Sequence, residues 1–273
     1  MTQEARDANR NDLVAGVDSG STTTKAILLD PQRKVAAFAI LPTGADSRDA
    51  SRIALAEALA KVGAEPSELA FVVATGYGRE IASEARGTVT EITCHARGVH
   101  ALMGPVRTII DIGGQDSKAI RINGQGRVQD FAMNDKCAAG TGRFLEVMSR
   151  SLGVPLQAMG DRAGTATRDV RVSSMCTVFA ESEVVSLVAK GEKVEDILSG
   201  IHQAIADRVA SLALRVGLEL PVAVTGGVAM NSGVVRALET RLETRLSIPE
   251  DPQLTGALGA AMIARDRLEE GDG

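Results

Sequence analysis

The sequence contains one short pattern twice, and this repeat points to a fold built from two similar halves. In each copy an apolar segment runs into Asp-x-Gly, and a Lys-Ala-Ile triplet begins seven residues after the aspartate. The first copy holds Asp18 and Lys25, and the second holds Asp111 and Lys118. Each copy predicts a strand, a tight turn of small residues and a returning strand. A single Asp-x-Gly is common in turns, but two copies with matching flanks and spacing favour an internal duplication.

Strands and helices alternate along the rest of the chain, which is typical of α/β proteins. The 273 residues include no Trp, one Tyr and five Phe. The core must therefore consist of Val, Ile, Leu and Ala, which suits parallel strands covered by helices. We predict strands at 13–17, 70–74, 108–110 and 221–224, and helices at 49–62, 141–152, 177–190, 194–216, 255–268 and from about Ser232.

The repeat and the order of the elements predict two lobes. Lobe I comprises residues 13–105 and 253–270, because the last helix is expected to return to the first half, and lobe II comprises 106–252. Residues 1–12 are polar and charged and are predicted to be a disordered lead-in without a signal-peptide core.

Charge and hydropathy exclude some partners. The formal charge is −5 and the chain has no long basic block, which argues against nucleic acid or an anionic membrane as the main partner. No apolar run reaches the roughly 18 residues of a membrane span. We therefore expect a cytoplasmic protein.

Three glycine turns offer groups that bind a nucleotide. Backbone amides and hydroxyls of the first turn can donate to phosphate oxygens, and a lysine ammonium can add positive charge. The third turn ends a strand and opens a helix, where a ribose or phosphate can approach closely. The predicted contacts are Gly20, Ser21, Thr22, Thr23, Thr24 and Lys25 in the first turn, Gly113, Gly114 and Gln115 in the second, and Gly226 and Gly227 in the third.

Two hairpins that face each other would clamp the β- and γ-phosphates of a bound nucleotide. Asp18 and Asp111 would then lie close to Mg²⁺, directly or through its waters. The groups that could orient the hydrolytic water or the metal are Asp18, Asp111, Gln115 and Asp116, and the sequence does not rank them. Gln253 is a further candidate nucleotide contact. The alternative for Lys25 is an exposed strand lysine.

Two of the three cysteines come directly before predicted helices. Cys137 precedes a helix that Thr141 could cap, and Cys176 precedes a helix that Thr177 or Ser174 could cap. Helix N-termini favour thiolates and anionic iron–sulfur clusters. Composition alone leaves plain core cysteines as the alternative.

Two cysteines cannot complete a [4Fe–4S] cluster, which takes four thiolates. A two-fold dimer would supply all four. Cys94 is assigned to packing at the start of a helix. The adjacent His95 makes only a weak metal pair with it. His100 and His202 are read as surface or core residues.

The motifs, taken together in their order, resemble a known superfamily and one family within it. The Asp-x-Gly turns and the late Thr-Gly-Gly-Val resemble the phosphate and adenosine motifs of the actin/Hsp70/sugar-kinase superfamily, and neither a Walker loop nor a Rossmann fingerprint is present. The cysteine segments resemble the activators of 2-hydroxyacyl-CoA dehydratases over about residues 14–264. The segments that carry this resemblance are ATGYGR (74–79), DIGGQD (111–116), NDKCAAGTGRFL (134–145), CTVFAESE (176–183) and TGGVA (225–229).

The resemblance implies a duplicated, actin-like (ribonuclease H-like) α/β ATPase fold with a nucleotide cleft between two lobes. It implies a homodimer that binds ATP/ADP and Mg²⁺ and holds one [4Fe–4S] cluster through Cys137 and Cys176 of each subunit. ATP hydrolysis would be coupled to transfer of a low-potential electron to a partner iron–sulfur enzyme, with a ferredoxin or flavodoxin as the electron donor. An oxygen-sensitive protein of anaerobic metabolism is expected.

Several alternatives remain open at this point. Within the family, the chain could be the ATPase subunit of a benzoyl-CoA reductase or the reductase of a double-cubane-cluster protein, although its length and cysteine segments favour a dehydratase activator. A small-metabolite kinase of the same superfamily usually carries larger insertions for its acceptor site, and this chain has little room for one. A non-redox assembly or chaperone subunit should lack the paired cysteine segments.

Overall fold

The computed structural model describes residues 12–82, 85–135, 137–173 and 176–271. The predicted lead-in falls, up to residue 11, outside the described residues. The chain divides into two compact units. Unit 1 contains the described residues up to Gly104, the segment Gly124–Val128 and the chain from Gln253 onward, and unit 2 contains Pro105–Asn123 and Gln129–Pro252.

Both units are built from strands and helices. The strands are β1 (Leu13–Ser19), β2 (Thr23–Leu29), β3 (Val35–Pro42), β4 (Leu69–Thr75), β5 (Gly87–Thr88), β6 (Thr108–Ile112), β7 (Ser117–Ile122), β8 (Val128–Asn134), β9 (Val222–Thr225) and β10 (Leu246–Ser247). The α-helices are α1 (Ser47–Val62), α2 (Glu91–Met103), α3 (Gly142–Leu152), α4 (Met159–Ala163), α5 (Thr177–Ala189), α6 (Val194–Arg215), α7 (Ser232–Leu242) and α8 (Thr255–Glu270).

The two five-stranded sheets have the same topology. One sheet has the order β3-β2-β1-β4-β5, and the other, read in the matching direction, has the order β8-β7-β6-β9-β10. The first two strands of each set, β1 with β2 and β6 with β7, pair antiparallel. The central strands β1 and β6 then pair in parallel with β4 and β9. The internal duplication predicted from the two Asp-x-Gly hairpins is therefore confirmed.

Helices cover both faces of the unit 1 sheet. Alternate residues of β1 point to opposite faces, so that Ala15 and Val17 pack in one core with α1 while Val14 packs in another with α8. Because both faces are covered, β1 is buried along its whole length. Gly16 allows α8 to approach closely, since a methyl group there would lie 2.1 Å from the carbonyl oxygen of Ala257.

Unit 2 has one continuous core. Buried side chains of β6, β9, α3, α5 and α6 contribute to it, and α6 alone places twelve buried residues along its 22-residue length. Within the described ranges, no helix combines the length and the apolar character that crossing a membrane requires.

The predicted helix caps are only partly correct. Gly63 ends α1 in the left-handed conformation, as expected of a C-terminal glycine. Thr141 occupies the N-cap position of α3 but makes no cap hydrogen bond, because its hydroxyl donates instead to the carbonyl of Ala138 at 2.6 Å. The N-cap residue of α5 is Cys176 itself, so Thr177 is already helical. Ser174 lies outside the described residues.

His202 on α6 lies deep in unit 2 and predicts a pH dependence of stability. Its side chain is 1% exposed, and within the described part of the chain neither ring nitrogen has a hydrogen-bond partner. Burial, with a smaller contribution from the charge of Arg236, lowers the pKa of His202 to about 4. The folded protein therefore holds this imidazole neutral while the unfolded chain binds a proton below about pH 6.5.

The free energy of unfolding should fall as the pH drops from about 6.5 toward 4. At pH 5 this one group should cost about 2 kcal/mol relative to pH 7. Urea unfolding at both pH values measures the loss, and His202→Leu is the control that should remove most of the pH-dependent difference. Equal pH slopes in the two proteins would contradict the assignment.

Candidate functional site

Each sheet presents one buried aspartate at the end of its central strand. In unit 1, Asp18 of β1 lies opposite Lys25 of β2, and in unit 2, Asp111 of β6 lies opposite Lys118 of β7. In both pairs the lysine Nζ lies 3.2 Å from the aspartate Oδ2. Lys25 is therefore a half-buried, paired residue rather than an exposed strand lysine. Each unit thus holds a carboxylate and an ammonium group beside a turn rich in small residues.

The neighbouring parallel strand adds a Thr-Gly step to each aspartate. Thr225 stands beside Asp111 in the sheet register, and its hydroxyl donates to Asp111 Oδ1 at 2.8 Å. Gly226 has a φ of +84°, and a methyl group on it would lie 2.4 Å from the carbonyl of Ile112. Gly76 matches it in unit 1, where a methyl group would lie 2.5 Å from Asp18 Oδ1. Only glycine fits at these two positions.

The first turn leaves some of the predicted phosphate contacts accessible and others engaged. Thr22 is exposed, and Gly20, Ser21 and Thr23 are half-buried. Thr24 is buried, and its hydroxyl lies 2.9 Å from that of Thr43, which in turn donates to the carbonyl of Gly20 at 2.7 Å. Since a carbonyl only accepts, the Thr24 hydroxyl must donate to Thr43. The Thr24 proton therefore stabilises the hairpin.

Ion pairs among its own residues stabilise the second turn. Lys118, 2% exposed, pairs with Asp116 at 2.7 Å as well as with Asp111. The amide of Gly113 donates to the carbonyl of Asp116 at 2.9 Å. Gln115 is exposed and Gly114 is half-buried. Neither Lys118 nor Thr225 is among the predicted site residues. Two repeated features of the sequence could have indicated them: the Lys-Ala-Ile triplet, and the Thr-Gly step whose threonine ends β4 and β9.

The second turn is bonded directly to the helix that follows Cys137. The first amides of α3, those of Gly142 and Arg143, donate to the carbonyls of Gly113 and Gly114 at 2.8 Å each. The Asn134 side chain donates to the carbonyl of Cys137 at 2.8 Å and to that of Ala139 at 3.0 Å. The Cys137 segment is therefore held between the end of β8 and the second glycine turn.

The three cysteines have different environments. Cys137 is half-buried, and Cys176 is exposed at the N-terminus of α5. Cys94 is completely buried, and burial raises the pKa of its thiol to about 12, which confirms its assignment to packing. The described residues contain no group of three or more His, Cys, Asp and Glu side chains that could hold a metal ion by itself.

The third turn connects β9 to α7. The amide of Gly226 donates to the carbonyl of Pro252 at 2.8 Å, and Gly227–Met230 form a short 3₁₀ turn before the N-cap residue Asn231. The Met230 side chain is largely exposed. Gln253 is half-buried in the turn before α8.

The chain is similar to known proteins along most of its length. The BadF/BadG/BcrA/BcrD ATPase family matches residues 15–264. The chain belongs to this family. A relative, the 2-hydroxyisocaproyl-CoA dehydratase activator of Clostridioides difficile, is 45% identical over 255 residues, which are 93% of this chain and 96% of the relative.

Solved structures agree with the family assignment. The activator of the 2-hydroxyisocaproyl-CoA dehydratase from Clostridium difficile, with bound ADPNP, superimposes with a TM-score of 0.90 at 43% identity, over 95% of this chain and 97% of that one. A ROK family glucokinase from Streptomyces griseus, with glucose and AMPPNP, matches 93% of this chain and 99% of its own length with a TM-score of 0.58 at 15% identity, which shows the fold alone. The predicted family, the actin-like α/β fold and the ATPase assignment are confirmed.

Proposed function

We propose that this ATPase is an activator that couples ATP hydrolysis to delivery of one low-potential electron to a partner iron–sulfur enzyme, a 2-hydroxyacyl-CoA dehydratase. The names of its relatives support the dehydratase as partner. The observation that carries the coupling is the pair of hydrogen bonds from the first amides of α3 to Gly113 and Gly114. They join a glycine turn proposed to bind phosphate to the segment that contains Cys137.

We propose that the turns of both units bind ATP through their amides, hydroxyls and lysines. Asp18 and Asp111 are each already paired with an ammonium group, so a Mg²⁺ bound directly to either would lie next to a second cation. Contact through the waters that Mg²⁺ retains fits this charge distribution better. Gln115 is the proposed group for orienting the hydrolytic water, because its side chain is exposed whereas the Asp116 carboxylate is already paired with Lys118.

The residues present fit a [4Fe–4S] cluster shared by two copies of the chain. Cys137 and Cys176 are both accessible and both near helix N-termini, whose partial positive charge stabilises thiolates. Exposed apolar side chains follow Cys176 directly, Val178 at 67% and Phe179 at 68% exposure, and a second copy of the chain would cover them. When bound, such a cluster supplies one-electron redox chemistry, and its four thiolate ligands would be two from each subunit.

The hydrogen bonds of unit 2 suggest how the nucleotide state would reach the cysteines. A shift of the Gly113–Gly114 carbonyls on loss of the γ-phosphate would move the N-terminus of α3, because its first amides are bonded to them. Helix α3 packs against α5, whose N-cap residue is Cys176. A movement of the second glycine turn would therefore displace the segments of both proposed cluster ligands, Cys137 and Cys176. A ferredoxin or flavodoxin is the proposed electron donor, and the cytoplasm the proposed compartment.

Anaerobic purification and a coupled assay test the proposal. We expect a dimer of the 28.4 kDa chain that contains about four iron atoms and that activates a 2-hydroxyacyl-CoA dehydratase when ATP, Mg²⁺ and a reductant are present. A non-hydrolysable ATP analogue should not sustain repeated activation. An iron-free monomer that hydrolyses ATP would reduce the function to that of a generic ATPase, and phosphoryl transfer to a small metabolite would indicate a kinase.

A further inference from the structure

Three successive carbonyl groups, beginning with that of Cys137, are held by hydrogen bonds from two flanking residues. The side-chain amide nitrogen of Asn134 donates to the carbonyl of Cys137 at 2.8 Å and to that of Ala139 at 3.0 Å. The carbonyl between them, that of Ala138, accepts from the Thr141 hydroxyl at 2.6 Å and from the Thr141 amide at 3.1 Å. The main chain that carries Cys137 is therefore fixed from both of its ends.

Asn134 supplies two donors from one buried nitrogen. It is the last residue of β8 and is 7% exposed. Both of its acceptors are carbonyl oxygens, which cannot donate, so the NH₂ group must face the segment and both of its protons are used. Aspartate has the same size but no donor at neutral pH, and glutamine is one methylene longer. The contact therefore requires asparagine at this position.

The direction of the Cys137 side chain depends on this main-chain contact. The carbonyl carbon and Cβ are bonded to the same Cα, so a carbonyl group anchored at Asn134 leaves the side chain mainly its own rotation about the Cα–Cβ bond. That rotation has only three staggered positions. The sulfur atom of the half-buried Cys137 can therefore occupy few places. Hydrogen bonds of this outer kind are the usual means by which proteins orient the ligands of a metal.

We propose that Asn134, assisted by Thr141, is a positioning residue that presents the Cys137 thiolate to an iron–sulfur cluster. Its hydrogen bonds are made to main-chain oxygens, so it acts through Cys137 and is not itself a ligand. The fixed main chain reduces the conformational freedom that the thiolate would lose when it binds iron. The inference rests on the proposed function, in which Cys137 is a ligand of the cluster.

Removing the donors should weaken the hold on iron. We expect anaerobically prepared Asn134→Ala to lose iron to a chelator about 10-fold faster than the unmodified protein, the scale of loss usual when an outer partner of a metal ligand is removed. Electron paramagnetic resonance of the reduced protein should show broader lines, because the thiolate no longer has one direction. Thr141→Val should have a smaller effect, since the Thr141 amide still donates to Ala138.

Thr108→Val is the matched control for a general loss of stability. Thr108 is buried at the start of β6 in the same unit, and its hydroxyl donates to the carbonyl of Glu219 at 2.8 Å and accepts from the Glu219 amide at 2.9 Å. This variant also loses two hydrogen bonds to the main chain. We expect it to unfold at a lower temperature without faster iron loss or broader lines. Equal iron loss in Asn134→Ala and Thr108→Val would overturn the inference.

Cys137→Ser distinguishes failure of the inference from failure of the proposed function. If the unmodified protein binds no iron, or Cys137→Ser keeps all of its iron, the proposed function fails and the inference fails with it. If Cys137→Ser loses its iron while Asn134→Ala holds iron as firmly as the unmodified protein, only the inference fails. Should thermal unfolding show that Asn134→Ala is not folded, Thr141→Val decides, and iron loss no faster than that of Thr108→Val overturns the inference.

Discussion

Cys137→Ser should abolish activation of the partner dehydratase and leave ATP hydrolysis close to that of the unmodified protein. Serine cannot supply the thiolate that a cluster requires. The exchange alters only the side chain, so the Asn134 amide can still donate to the carbonyl of residue 137 and α3 can still donate to the second turn. Anaerobic iron analysis, the coupled dehydratase assay and phosphate release measure the three quantities on one preparation. Cys176→Ser should behave in the same way.

Cys94→Ala is the matched control for the cysteine variants. Its thiol is completely buried with a pKa of about 12, so it is neither reachable nor ionised, and we expect iron content and dehydratase activation to persist at a small cost in stability. If Cys137→Ser still activated the dehydratase, Cys137 would not be a ligand of the cluster. Loss of ATP hydrolysis together with activation would mean that residue 137 acts on the nucleotide site and not on electron delivery.

The sequence predicted the architecture well because the repeat encodes it. Because the spacing from Asp to Lys is the same in both hairpins, the two hairpins share one strand register. In the sheets Asp18 lies opposite Lys25, and Asp111 lies opposite Lys118. The helices predicted at 49–62 and from about Ser232 are also present, because their ends are set by local contacts: Gly63 adopts the left-handed conformation after α1, and the Asn231 side chain accepts hydrogen bonds from the first amides of α7.

Features that depend on tertiary contacts could not be read from the sequence. The Thr141 hydroxyl was free to cap α3 by its position, but the turn before it supplied the Ala138 carbonyl as a competing acceptor. In the sequence, Thr24 is equivalent to the neighbouring hydroxyl residues of the first turn. In the structure its hydroxyl is hydrogen-bonded to Thr43, which lies 19 residues away in the sequence. The ring nitrogen Nδ1 of His95 lies 3.0 Å from the Thr255 hydroxyl although the two residues are 160 apart in the sequence, so no local pattern could have paired them.

Lys118→Met should destabilise the protein strongly, by about 3–5 kcal/mol, which is the usual cost of leaving a buried charge without its partner. The Lys118 ammonium pairs with two carboxylates, Asp111 and Asp116, and the side chains of Lys118 and Asp111 are 3% and 4% exposed. Methionine preserves the length of the side chain and removes only the charge. The Thr225 hydroxyl would still donate to Asp111, but one hydroxyl cannot replace an ammonium group. Urea unfolding at pH 7 measures the loss.

The equivalent pair in unit 1 supplies the control, and a double variant tests the cause. Lys25 is paired with Asp18, with side chains 12% and 9% exposed, so Lys25→Met should cost less, about 2 kcal/mol, the scale of one hydrogen bond to a charged group. Adding Asp111→Asn to Lys118→Met removes the buried charge while Thr225 can still donate to the amide oxygen, and this should recover much of the stability. If the double variant is less stable than Lys118→Met, the carboxylate is held by neighbours other than Lys118. The cost of Lys118→Met would then reflect lost packing and not an uncompensated charge.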